Sequence, residues 1–180
     1  MKKSVLLVIF SFLSILAQAQ TGHLRFDGIP LAGTIEQYQI QLIQKGYKLD
    51  KFSSKYSAEN GTRIFKGKFL NQKAKIAVYF DPETQIVFAA QAYYTHLNKN
   101  KAQIKLNELK RLLISKYGSN AVIEHDQDKD LPGFILNMRE GQIYGYVKKN
   151  SNIYHNYSTH IQYTDTTNSA NHKKQFLNDL

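Results

Sequence analysis

The chain has 180 residues, with 24 basic and 14 acidic side chains, a formal charge of +10 and 42% hydrophobic residues. That length fits one domain or two small ones, and the composition excludes a disordered tail, a collagen-like chain and an array of membrane spans. The absence of cysteine excludes a disulfide framework, a thiolate metal centre, a cysteine nucleophile and an acylated lipoprotein cysteine.

The first expected element is a targeting signal. Lys2 and Lys3 form a basic start, Val5 to Leu16 is an apolar run broken only by Ser11 and Ser14, and Ala17-Gln18-Ala19 is a small-x-small cleavage site. That order is a secretory signal peptide, and the run is shorter than the ~20 apolar residues of a membrane span. The expectation is a signal over 1–19 and an exported chain over 20–180, periplasmic or secreted. Without Lys2 and Lys3, 22 basic side chains face 14 acidic ones, a net of +8.

Further along, Thr34 with Gln37 three residues on has the spacing of a capping box. Ile35, Tyr38, Leu42 and Ile43 then share a helix face, and Gly46 stops it. The period changes to two, predicting strands over Phe65–Leu70, Lys75–Phe80 and Ile86–Thr95, with a turn at Asp81-Pro82-Glu83-Thr84. A second helix is expected from about Asn100 to Tyr117, with Ala102, Leu106, Leu109, Leu113 and Tyr117 as its stripe and Gly118 at its end. Strands follow over Ala121–Glu124, Phe134–Arg139, Gln142–Lys148 and Ile153–Tyr163, with a turn at Lys149-Asn150-Ser151-Asn152.

The two helix-and-strand stretches can be superposed. Gln41–Lys45 lies on Leu112–Lys116 at an offset of 71; Lys75–Phe80 lies on Gln142–Val147, and Ile86 on Ile153, at an offset of 67. The expected fold class is α+β: a tandem repeat of a helix plus an antiparallel meander, with the helices on one face of the sheet. It forms a single domain over 20–180, with halves of about 20–96 and 97–180.

The segment His23-Leu24-Arg25-Phe26-Asp27-Gly28-Ile29-Pro30-Leu31-Ala32-Gly33-Thr34, and the chain end Leu177-Asn178-Asp179-Leu180, resemble a group of small secreted bacterial proteins of uncharacterised function. In that group a strand ending in Gly-Ile-Pro runs into a capped helix. The resemblance implies a tandem fold like that of β-lactamase inhibitor proteins, also described as PepSY-like. It brings no catalytic residues, and the loops with which those inhibitors contact β-lactamase have no match here.

Strand alternation sorts the side chains into two faces. Ile76, Val78 and Phe80, then Ile86, Phe88, Ala90, Ala92 and Tyr94, are expected under the helices. So are Phe134, Leu136, Met138, Ile143, Gly145, Val147, Thr159, Ile161 and Tyr163. The other face would display Tyr79, Tyr93, Tyr144, Tyr146 and Tyr154 with Arg139, Lys148 and His160. Tyrosine and arginine are enriched at binding hot spots, and aromatic rings stack on sugars. Strand propensity and cross-strand pairing also favour tyrosine without any partner. Tyr79, Tyr93, Arg139, Tyr144, Tyr146, Tyr154 and His160 are the candidate partner-binding residues.

Little else carries chemistry. Asp126, Asp128 and Asp130 alternate as in a calcium loop, but Leu131 stands where that loop needs glycine and Asn137 where it needs glutamate. The six histidines show no metal-binding spacing, and no nucleophile elbow, phosphate-cradling loop or nucleic-acid motif is present. Neither a metal nor a cofactor is expected, and nothing argues for an enzyme. The charge is uneven: Lys45 to Lys75 holds nine basic and two acidic residues, a net of +7, whereas Ala121 to Glu140 has a net of −3. The expected function is an exported, monomeric, non-enzymatic binding or inhibitor-like module that meets a protein or glycan on its tyrosine face. The alternative is an envelope protein that holds anionic lipid or glycan through its basic first half.

Overall fold

The computed structural model describes residues 22–118, 122–128, 131–150 and 156–178. The signal segment, the end of the Lys149–Asn152 turn, Ile153, Tyr154, His155 and the last two residues lie outside them.

Two short strands, β1 (Arg25–Phe26) and β2 (Ile29–Pro30), open the chain as a hairpin. Its turn, Asp27-Gly28, has φ of 49° and 80°; the Asp-Gly pair tolerates this left-handed backbone. Phe26 stacks on Phe69 at 4.9 Å and meets Tyr163 edge-on at 5.4 Å, which fastens the hairpin to the core. Helix α1 (Ile35–Gln44) follows, and the capping box forms as the spacing predicts. The Thr34 hydroxyl accepts from the Gln37 amide, and the Gln37 side chain accepts from the Thr34 amide.

Next come β3 (Lys48–Leu49), α2 (Lys51–Ser57), a 3₁₀ turn (Ala58–Asn60), and the strands β4 (Thr62–Phe69), β5 (Gln72–Phe80) and β6 (Val87–Leu97). Helix α3 (Lys99–Tyr117) has Asn98 as its N-cap. Strands β7 (Val122–Asp128), β8 (Leu131–Asn137), β9 (Gly141–Lys149) and β10 (Tyr157–Asp165) complete the sheet, and α4 (Thr166–Asn178) ends the chain.

The fold is α+β. Eight strands form one antiparallel sheet in the order β3-β4-β5-β6-β10-β9-β8-β7. The two meanders therefore meet at their last strands, β6 and β10. One core joins Ile35, Tyr38 and Leu42 of α1, Leu106, Leu109 and Leu113 of α3, and the helix-side residues of the sheet. Ala77 and Ala89 are buried outside this cluster, on the opposite face.

Several expectations need correction. The pairing of β5 with β6 slips between Tyr79 and Phe80, so Phe80 faces Val87 while Tyr79 faces Ala89. The bulge puts Val87 into the core and leaves Phe88 half-buried, because an extra residue reverses parity beyond it. Strand β8 ends at Asn137, so Arg139 sits in the β8–β9 turn and not on the sheet. Strand β7 continues through Asp128. The acidic run is thus partly extended strand, whereas a calcium loop has to wrap around its ion.

Histidine–aspartate pairs hold the two ends of the described chain. His23 Nδ1 is 3.1 Å from the buried Asp165 carboxylate, which also accepts from the Leu24 amide. His172 Nδ1 is 2.6 Å from Asp81, and its ring stacks on Phe88 at 4.7 Å. Burial works to raise the Asp81 pKa; hydrogen bonds from His172, Thr84 and Glu83 outweigh it and hold the group below its ordinary value.

Candidate binding face

Antiparallel pairing sets residues on adjacent strands directly opposite one another, on the same face. Following the register across the sheet gives one continuous row: Lys48 (β3), Lys66 (β4), Lys75 (β5), Tyr93 (β6), His160 (β10) and Tyr146 (β9). The next row contains Ala77, Gln91, Gln162 and Tyr144. Both lie opposite the helices α1 and α3. The sheet thereby brings the tyrosine face and the basic first half, separate features in the sequence, onto one surface.

The aromatic part of the row is stacked. Tyr93 and His160 lie 5.5 Å apart at 6°, His160 and Tyr146 4.7 Å apart at 7°, and Tyr146 and Tyr144 4.9 Å apart at 26°. Rings at such separations attract beyond the area they bury. His160 is consequently not displayed: it is only 9% exposed, held between two tyrosines. Tyr79, Tyr93, Tyr144 and Tyr146 are half-buried, and Ala77 and Ala89 on the same face are buried. His160 and Tyr146 spend both ring faces inside the stack, so the middle of the row presents ring edges and hydroxyls. Tyr93 ends the stack. One of its faces meets His160, and the ring also lines a groove on the β5 side.

Glutamines tie the rings together. The Tyr79 hydroxyl donates to Gln91 Oε1 at 3.3 Å; Gln91 Nε2 donates to the Tyr146 hydroxyl at 3.0 Å and to Gln162 Oε1 at 3.2 Å. Burial raises the Tyr79 pKa to about 12, with Tyr146 and Tyr93 adding to the shift. Tyr93, Tyr144 and Tyr146 are also raised, chiefly by burial. These hydroxyls stay protonated at any ordinary pH and act as neutral hydrogen-bonding groups.

His160 makes the row's one contact between a histidine and a hydroxyl. Its Nε2 lies 2.6 Å from Ser158 Oγ, which donates to Asn150 Oδ1 at 3.0 Å. The Ser158 proton is committed to Asn150, so Nε2 carries the imidazole proton and donates. Nδ1 is buried without a partner among the described residues. Burial, reinforced by Lys148, lowers the His160 pKa to about 4. Ser158 is 1% exposed, so this pair orders the face and does not offer a nucleophile to a substrate.

At the other end of the row Lys48, Lys66, Lys75 and Tyr93 border a groove of about 920 Å³ that extends beyond this face to Lys45 at the end of α1, Lys105 of α3 and the core-side Tyr94. Lys66 bridges to Asp50 at 2.7 Å and Lys45 to Asp27 at 3.5 Å; Lys105 bridges to Glu108. The hydrogen bond from Lys66 lowers the Asp50 pKa to about 2, against the opposing effect of burial.

Of the candidate residues, Tyr79, Tyr93, Tyr144, Tyr146 and His160 share this face, Arg139 stands at its end in a turn, and Tyr154 lies outside the described residues. Sequence reasoning missed Gln91, Gln162 and the lysine continuation. Strand alternation puts both glutamines on this face, but only the strand order shows what stands beside them. No group of three or more potential metal-ligating side chains occurs among the described residues, and no helix among them is long and apolar enough to cross a membrane. No protein-family model, curated protein or solved structure matches the chain.

Proposed function

We propose that this is an exported, non-enzymatic binding module that captures a protein or glycan partner on the sheet face opposite α1 and α3. The observation that carries the reading is the stacked row of Tyr93, His160, Tyr146 and Tyr144, cross-braced by Gln91 and Gln162. A row fixed by stacking and hydrogen bonds loses little side-chain entropy on binding, which favours affinity. Its neutral hydroxyls give direction to the contact. The resemblance to inhibitor-like secreted proteins belongs to the same reading, as does the duplication of a helix and meander. In support of the duplication, Tyr93 and His160, equivalent at the strand offset of 67, stand opposite each other where the two meanders join.

The test is retention of an envelope or medium component by the purified protein and by a Tyr144→Ala/Tyr146→Ala variant shown to be folded. The variant loses the retained component if the reading holds. Unchanged retention by the folded variant contradicts it.

The second reading, anionic lipid or glycan held by the basic first half, is favoured by a separate observation: four lysines around the groove, Lys48, Lys68, Lys73 and Lys75, have no ion pair among the described residues.

A further inference from the structure

We propose that the lysine groove and Tyr93 together bind a carboxylated glycan chain, with a sugar ring against Tyr93 and its carboxylates on Lys48, Lys68, Lys73 and Lys75. This rests on the sheet-face reading above and assigns a ligand class to the lysine end of that face.

Lys66 faces both Lys48 and Lys75 across the ladder, and Lys68 faces Lys73. Like charges directly opposite on neighbouring strands are destabilising. Seven lysines line the groove and no carboxylate does: five on this face, with Lys45 from the end of α1 and Lys105 from α3. Only three of the seven, Lys45, Lys66 and Lys105, are ion-paired among the described residues. The fold thus concentrates uncompensated positive charge in a concave site, where a bound polyanion would relieve the repulsion.

Neighbouring strands are about 4.8 Å apart, close to the length of one pyranose in a chain. Lys48, Lys66, Lys75 and Tyr93 occupy successive strands. A chain of uronates laid along this row advances by about one sugar per strand. A uronate carries its carboxylate directly on the ring, so one residue can offer an apolar ring face to Tyr93 and an anion to a neighbouring lysine. An acidic peptide separates those two functions along flexible side chains, and a lipid phosphate has no ring face to offer. A planar bilayer also matches a concavity poorly.

The experiment is titration of the purified protein with hexagalacturonate at about 0.15 M salt. Hexaglutamate, cellohexaose and vesicles of phosphatidylglycerol with phosphatidylcholine serve as parallel probes. Hexagalacturonate is expected to bind best and to weaken as salt rises. The pair Lys68→Gln/Lys75→Gln is expected to reduce affinity at least about tenfold. Both lysines sit in like-charge pairs, so this variant keeps its fold. Tyr93→Leu weakens binding, while Tyr93→Phe, which keeps the ring, retains it.

Equal binding of hexaglutamate overturns the role of the sugar, and equal binding of cellohexaose overturns the role of charge. Preference for the vesicles assigns the groove to a lipid surface instead, and binding of no probe removes the proposal. The Tyr144/Tyr146 test is read separately. If that variant loses its retained component while hexagalacturonate fails to bind, the sheet-face reading stands and the glycan assignment alone falls.

Discussion

His160 shows how one position on the face carries both order and pH sensitivity. Its pKa is lowered from the ordinary 6.5 to about 4 because its ring is buried between Tyr93 and Tyr146, with Lys148 adding to the effect. The unfolded chain takes up a proton below pH 6.5, whereas the folded protein resists until about pH 4. This contribution to stability is present above pH 6.5 and is lost as pH falls from there to 4, on the order of 3 kcal/mol in total. His160→Phe keeps a flat ring in the stack and leaves Ser158 bonded to Asn150. We expect its unfolding midpoint near that of the wild type at pH 7 and above it at pH 4.5; equal acid sensitivity of the two proteins would contradict the assignment. Gly145 illustrates the opposite face. A Cβ there would lie 2.3 Å from the Phe134 ring, so Gly145→Ala should cost about 1–3 kcal/mol in denaturant unfolding through overpacking. Strand parity was enough to put both residues on their correct faces. The burial of His160 was not legible, because it depends on rings contributed by two other strands.

Helices α1 and α3 were legible because each carries a periodic apolar stripe closed by glycine, Ile35, Tyr38 and Leu42 before Gly46 and Ala102, Leu106 and Leu109 before Gly118, with the Thr34 and Gln37 box marking the start of α1 as well; the Asn98 cap of α3 emerged only in the structure. Thr34→Ala removes half of the capping box and should lower stability by about 1 kcal/mol in thermal or denaturant melts. Helix α2 went unpredicted because it has almost no buried stripe. It is held by the Asp50 cap and by Ser54, whose hydroxyl bonds both the amide and the carbonyl of Ile64. Helix α4 carries polar residues through most of its first two turns, and the side chains that place it, Asn168 and His172, reach distant groups. Such tertiary contacts have no local sequence pattern. The bulge opposite Tyr79 and Phe80 also escaped notice; it puts Val87 in the core in place of Phe88.

At the scale of the molecule, the strand order decides which surface features coincide. Charge counting put the excess of positive charge in the first half, and alternation put tyrosines on one face. Only the pairing of β5 with β6 and of β6 with β10 joins them into one row. The like-charge pairs along β3, β4 and β5 imply that screening stabilises the fold. The thermal midpoint should therefore rise between low and moderate sodium chloride. A fall would mean that the Lys45, Lys66 and Lys105 bridges outweigh the repulsion.

Whether the face opposite α1 and α3 is the working surface is decided by comparing two proteins in one capture experiment. Wild type and folded Tyr144→Ala/Tyr146→Ala are each exposed to native envelope and medium at low and moderate salt. A component retained by the wild type at moderate salt and lost from the variant is the expected result. Equal retention by both proteins would contradict it.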